Sequence, residues 1–366
     1  MIDAAPRDEA GTARVRKPGI IPALDGFRAI AVTLVMLSHV GLNRLLPGQF
    51  GVTLFFFLSG YLIATLLRRD IEQGGAIDFG GFYLRRAVRI LPPMYVTICF
   101  VALLSLAGLI HPLNYGGLIW DFLFLSNYHF TSGIPIGLWS LAVEEHFYVI
   151  FPLLLAAMTR RFSFAQCAVI CLALCLLVLL IRFQEVSRLA DFSQVNFWTH
   201  TRFDSILYGA ILALWNNPVA DRRNRLPGPM LSYLVAGLLL LITFVLRDEA
   251  FRQTLRYSLQ GLALLILFNA AIRDDRFARP VLDNPVTRFL ALHSYTLYLV
   301  HGTFLLACEP LVAFFGRIAT FSLAIVLSVL FAILMHRLIE HPLGRWRRRV
   351  ERARREHRSA EAANAL

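Results

Sequence analysis

The sequence predicts an all-α membrane protein, a bundle of about ten transmembrane helices with both termini cytoplasmic, and three observations carry that prediction. Of its 366 residues 57% are hydrophobic and only 16% charged, with a mean hydropathy of +0.61, whereas a soluble domain is nearer a quarter charged. Apolar runs long enough to span a bilayer recur along the chain, and in lipid such runs form helices because every backbone polar group needs an internal partner. Most of the 36 Lys and Arg fall in segments that alternate onto one side of the membrane, the bias expected of cytoplasmic loops. The net charge of +12 therefore reads as topology and argues against nucleic acid as a partner.

Residues 1–22 form a polar cytoplasmic arm with Arg7, Arg14, Arg16 and Lys17, expected to be partly disordered. A ten-helix membrane domain is expected over 23–338. Its first helix, about 24–42, is interrupted by charge and does not end at a small-residue cleavage site, so it reads as an uncleaved insertion signal. Pro47 and Gly48 turn the chain into a second helix, about 50–68, which ends on Arg68 and Arg69. The third, about 82–109, carries Arg85, Arg86 and Arg89 in its first turns and then Pro92 and Pro93, where a kink is expected.

Residues 110–138 contain no Lys or Arg and read as an external, partly re-entrant loop. The fourth helix, about 139–158, opens with Trp139, Ser140, Glu144, Glu145, His146 and Tyr148 and closes on Arg160 and Arg161. Helices over about 164–182, 198–216, 230–247, 253–272, 288–306 and 310–338 complete the set. The run Ile339-Glu340-His341-Pro342-Leu343 reads as an interfacial stop, and 339–366 as a basic cytoplasmic tail, either solvated or drawn to anionic lipid. Cys99, Cys167, Cys171, Cys175 and Cys308 lie in apolar runs and read as small hydrophobes.

Ionisable groups inside apolar helices mark a site or a structural pair. Asp25, Arg28 and His39 share one face of the first helix, with about 16 Å between Arg28 and His39 along its axis. Arg28 falls at the inner end beside the stripe Arg85, Arg86, Arg89, which can seat phosphates or serve only as positive-inside anchoring. His39 falls toward the outer side, where Glu144 and Glu145 enter. A histidine beside a carboxylate is a general base for activating a hydroxyl, although acids at a helix start are also favourable in themselves. Arg202, Asp204 and Tyr208 enter from the outside, and Asp204 and Tyr208 share a face at a spacing of four, where they could pair structurally. Ser294, Tyr298 and His301 form a polar stripe in the ninth helix. No phosphate loop, metal-ligand spacing or serine-hydrolase elbow is present, so no metal is expected.

These stretches together resemble the acyltransferase 3 family of integral membrane acyltransferases, which modify sugars of surface polysaccharides. Leu24-Asp25-Gly26-Phe27-Arg28 followed by His39 resembles its Arg-x10-His signature. Gly51 to Tyr61, Phe82 to Pro92, Leu138 to Tyr148, Arg202-Phe203-Asp204 and Ser294 to His301 resemble later motifs in the family's order. His146 stands where the family commonly has glutamine. The resemblance implies a multi-pass enzyme of a bacterial-type inner membrane. It implies transfer of an acyl group, commonly acetyl, from cytoplasmic acyl-CoA to a hydroxyl of a surface glycan or glycolipid, with the histidine acting directly. Some members carry a fused external esterase-like domain; here a short tail follows, implying a separate partner for that step.

The expected assignment has Arg28, Arg85, Arg86 and Arg89 binding the phosphates of acetyl-CoA or another acyl-CoA and His39, helped by Glu144 or Glu145, activating the acceptor. Asp25, Trp139, Ser140, Tyr148, Arg202, Asp204, Tyr298 and His301 support them. The rivals are a transporter for a lipid-linked sugar or small anion, whose pathway would need the same polar groups, and a non-catalytic sensor.

Overall fold

The computed structural model describes residues 22–42, 47–135, 137–274, 276 and 278–364, without the side chains of Pro22 and 355–364. Residues 1–21 of the expected arm, with its four basic residues, and Arg44 lie outside the described residues. Among the described residues the chain is helical and contains no strand. The elements are α1 (Pro22–Leu37, continued by a π turn Ser38–Leu42), α2 (Gly48–Gly74), α3 (Phe79–Leu106), α4 (Leu118–Phe122), α5 (Leu138–Met158), α6 (Phe164–Arg188), α7 (Thr199–Trp215), α8 (Pro229–Val245), α9 (Glu249–Gln253), α10 (Leu255–Arg273), α11 (Arg279–Leu282), α12 (Pro285–Cys308), α13 (Val312–Met335) and α14 (His341–Asn364).

Each stretch expected to be a long helix is helical. Among the described residues seven helical stretches are long and apolar enough to cross a membrane: Ala23–Leu42, Gly48–Gly74, Phe79–Leu106, Leu138–Met158, Phe164–Arg188, Leu255–Arg273 and the run Pro285–Arg354, which contains α12, α13 and the first part of α14 and is kinked at Gly316 (φ 75°). The chain is thus a multi-pass membrane protein. α7 and α8 have 17 residues each, short for a full crossing. α3 runs unbroken through Pro92 and Pro93. The expected stop at Ile339–Leu343 does not form; a π turn over His336–Glu340 passes straight into α14, with Glu340 tied to α12 by a bond from Thr296 Oγ1 (2.7 Å).

The core is organised around α2, whose Phe56, Phe57, Tyr61 and Leu67 are fully buried. Against it lies α7, backbone to backbone. A side chain on Gly60 would strike the carbonyl of Ile206, and one on Gly209 the carbonyl of Phe57. Small residues permit this approach, and close packing is the main force joining helices once lipid replaces water. α6 seals the far side of α7 with the buried stripe Cys167, Cys171 and Cys175, spaced one turn apart. α1, α5 and α12 close around the other face of α2, and the polar side chains gather between them.

Candidate active site

Two cavities lie between these helices. The smaller, about 90 Å³, is lined by Arg28 from α1, Arg86 and Arg89 from α3, Ser59 from α2, and Glu144 and Tyr148 from α5. Arg86 and Arg89 are three apart and Glu144 and Tyr148 four apart, so each pair shares one helix face. Glu144 Oε2 accepts from Ser59 Oγ (2.8 Å) and Tyr148 OH (2.6 Å). The Arg86 guanidinium lies over the Tyr148 ring at 5.4 Å, and Arg28 sits 3.7 Å from Asp25. Among the described residues neither Arg86 nor Arg89 has a carboxylate within ion-pair distance. Such a cluster is repulsive in itself and is relieved by an incoming anion.

Arg85 does not join it. Its side chain turns to Asp70 of α2 at 3.9 Å and is absent from the cavity wall; as the immediate neighbour of Arg86 it points about 100° away from it around the helix axis. The expected four-arginine cluster is a three-arginine one.

The larger cavity, about 1160 Å³, is lined by His39, Trp139, Tyr298 and His301, among others. Here α1 loosens into its π turn, ended by Gly41 at φ 95°, a left-handed value that glycine adopts without strain. His39 is thereby left exposed to the cavity. Its Nδ1 lies 2.8 Å from the Val35 carbonyl and 3.3 Å from Nε2 of His301, and His301 Nδ1 is 2.8 Å from the Tyr298 carbonyl. A carbonyl oxygen only accepts, so both Nδ1 atoms carry the proton and His301 Nε2 presents a lone pair to His39. In the neutral imidazole Nε2 of His39 is then the nitrogen with the free lone pair, without a hydrogen-bond partner among the described residues, the tautomer that a base at Nε2 requires.

Val52 and Tyr298 line both cavities. Between the cavities Ser140 Oγ and Tyr298 OH are 2.5 Å apart, and both reach the Gly137 carbonyl at 3.0 and 3.2 Å. The wall separating an arginine-lined chamber from a histidine-lined one is therefore one hydroxyl pair thick at this point.

The acyltransferase-domain family profile matches residues 21–337. The chain belongs to the acyltransferase 3 family. It is 28% identical over 362 residues to O-acetyltransferase OatA of Staphylococcus aureus, covering 90% of this chain and 58% of that protein. It is 31% identical over 353 residues to the Bacillus subtilis protein named "Putative peptidoglycan O-acetyltransferase YrhL", covering 88% and 55%. The chain thus spans somewhat over half the length of the curated relatives it matches. No solved structure matches it.

The family's sequence landmarks divide between the site and its scaffold. Glu144 and Glu145 do not meet His39. They lie one and a little over one turn beyond Ser140, roughly 6 Å further along α5, so Glu144 opens into the arginine chamber; Glu145 is largely buried, with Oε1 unpartnered among the described residues. His146 instead bonds Thr199 Oγ1 (2.6 Å). Trp139 lines the larger cavity and meets Phe197 edge-on at 4.8 Å.

Arg202 and Asp204 are fully buried outside both cavities. The residue facing Asp204 is not Tyr208 but Arg182 of α6, through two bonds of 2.8 and 2.7 Å. Arg202 stacks 3.6 Å from the Tyr257 ring centroid and donates to Thr53 Oγ1 (3.0 Å). This second polar layer braces α2, α6, α7 and α10. Ser59 and Arg182 escaped the sequence reading because nothing in the spacing of one helix identifies the side chain that another helix presents to it.

Proposed function

We propose that the protein transfers an acyl group, most simply acetyl, from acyl-CoA on the cytoplasmic side to a hydroxyl of a cell-envelope glycan on the other, with His39 as general base. The single observation carrying this reading is the pair of chambers on one face of α1, three arginines in one and His39 in the other, meeting at Tyr298. The names of the relatives, O-acetyltransferase and peptidoglycan O-acetyltransferase, support the reaction type and a cell-wall acceptor. The charge bias supports an inner-membrane domain over 23–338 with ten spans, flanked by a cytoplasmic arm (1–22) and a basic cytoplasmic tail (339–366).

Arg28, Arg86 and Arg89 hold the donor's phosphates, and the pantetheine arm enters past Ser140 and Tyr298 so that its thioester meets the acceptor near His39. His39 Nε2 takes the acceptor's hydroxyl proton as the oxygen bonds to the acyl carbon. The carbon–sulfur bond then breaks, its electron pair leaves on sulfur, and the imidazolium returns the proton to the thiolate. General base catalysis of this kind is worth about a hundred- to ten-thousandfold in rate. His301, in place of the expected Glu144 or Glu145, holds the tautomer, and Glu144 orders Ser59 and Tyr148 at the donor end.

Inside-out vesicles supplied with acetyl-labelled acetyl-CoA test this. Wild type transfers label to glycan in the lumen and His39→Ala does not, whereas equal labelling overturns the catalytic assignment. Uptake of a labelled sugar or anion without acyl transfer would instead support a transporter.

A further inference from the structure

One wall of the larger cavity is cationic in a way that neither the chemistry at His39 nor membrane topology requires. Arg247 follows α8, Arg252 lies on α9 and Arg256 on α10, and all three line the cavity. On the proposed topology they stand on the external side, against the bias that keeps most Lys and Arg inside. Arg247 and Arg252 are exposed, and among the described residues none of the three has an ion-pair partner. Arg256 Nη2 donates to Tyr257 OH (2.6 Å), while its buried Nε finds no acceptor. Among the described residues the only acidic one on the cavity wall is Glu309, so the described wall is net positive whatever the charge of its histidines.

One turn beyond Arg256, Gln260 is 2% exposed and also lines the cavity. Its Nε2 donates to Thr243 Oγ1 (3.4 Å), and its Oε1 has no partner among the described residues. A buried amide oxygen left unsatisfied is unfavourable, and beside the cavity it is satisfied by a ligand's hydroxyl or amide proton. Cations for an anion and an acceptor for a hydroxyl thus line the same chamber as the base.

We infer that Arg247, Arg252 and Arg256 form a subsite for the carboxylate of an acidic sugar, so that the acceptor is an anionic glycan, with Gln260 taking a hydroxyl or amide proton of the same sugar. This rests on the acyl-transfer reading for the identity of the cavity as the acceptor site. Arginine forks match carboxylate oxygens in pairs, and an external cationic wall also draws an anionic polymer to the cavity mouth. The chamber's volume, about 1160 Å³, exceeds the usual range for small-molecule sites and admits more than one sugar ring.

The test measures binding of two size-matched probes, hyaluronan tetrasaccharide (carboxylate-bearing) and chitotetraose (neutral), to the full chain in phosphatidylcholine nanodiscs. The acidic probe is expected to bind at least tenfold more tightly, the preference shrinking as salt rises and vanishing in the Arg247→Gln/Arg252→Gln double variant, whose exposed positions leave the fold intact. Equal binding of the two probes, no binding of the acidic one, or a preference unchanged in the double variant overturns the inference. So does loss of the preference when phosphatidylglycerol replaces phosphatidylcholine, which would identify an anionic lipid headgroup as the occupant. No donor is present in this assay, so its failure leaves the labelling result with His39→Ala standing, and the reverse.

Discussion

Breaking the Arg182–Asp204 pair should destabilise the fold without touching either chamber. Both side chains have zero exposure and their nitrogen and oxygen atoms approach to 2.7 Å. Arg182 further donates to the Thr201 carbonyl (2.9 Å) and Ser258 Oγ (2.6 Å). Arg182→Met leaves a carboxylate in the core with only Ser258 Oγ, at 3.2 Å, to meet it; Asp204→Leu leaves a guanidinium with neutral acceptors. Removing one partner of a buried pair costs about 3–5 kcal/mol, since the survivor keeps its desolvation penalty without compensation. With about 2 °C per kcal/mol for a large domain, each single variant should melt roughly 6–10 °C below wild type. The double variant Arg182→Met/Asp204→Leu removes both charges and should recover most of that loss. Thermal unfolding in detergent, followed by tryptophan fluorescence, reads all four proteins. Single variants that melt with wild type, or a double variant no better than the worse single, would refute the claim that this pair is a coupled brace.

Coenzyme A binding should fall at least tenfold in Arg86→Ala and in Arg89→Ala but stay unchanged in Arg85→Ala, because Arg85 faces Asp70; titration calorimetry decides, and equal losses in all three would mean a diffuse cationic surface. In the loop between α3 and α5, burial pushes the Asp121 carboxyl up to about 6, the nearby Ser132 and Ser126 hydroxyls opposing this only in part. The folded state thus holds the proton more tightly than the unfolded one. The loop is at full stability below the ordinary carboxylate range and loses stability as pH rises from about 4 to about 6. Asp121→Asn should therefore protect this loop from proteolysis at pH 7 while matching wild type at pH 4, and equal cleavage rates at pH 7 would contradict the burial effect.

Much of this protein was legible before any coordinates. Hydropathy alone implies a helical membrane protein, because lipid leaves the backbone few other ways to satisfy its hydrogen bonds. A separation of eleven positions between Arg28 and His39 imposes two addresses on one face, and the structure holds those residues in separate chambers. The Arg86 and Arg89 stripe also follows from spacing within one helix. What failed were statements between helices. Asp204 meets Arg182 rather than Tyr208, and Glu144 meets Ser59 and the arginine chamber rather than His39. Periodicity names the face on which a side chain lies, but it carries neither the rotation of a neighbouring helix about its axis nor its depth, and a shift of one turn, roughly 5 Å, exchanges one partner for another. The histidine at position 39 belongs to the sequence; its tautomer, set by Val35, His301 and Tyr298, belongs to the tertiary structure.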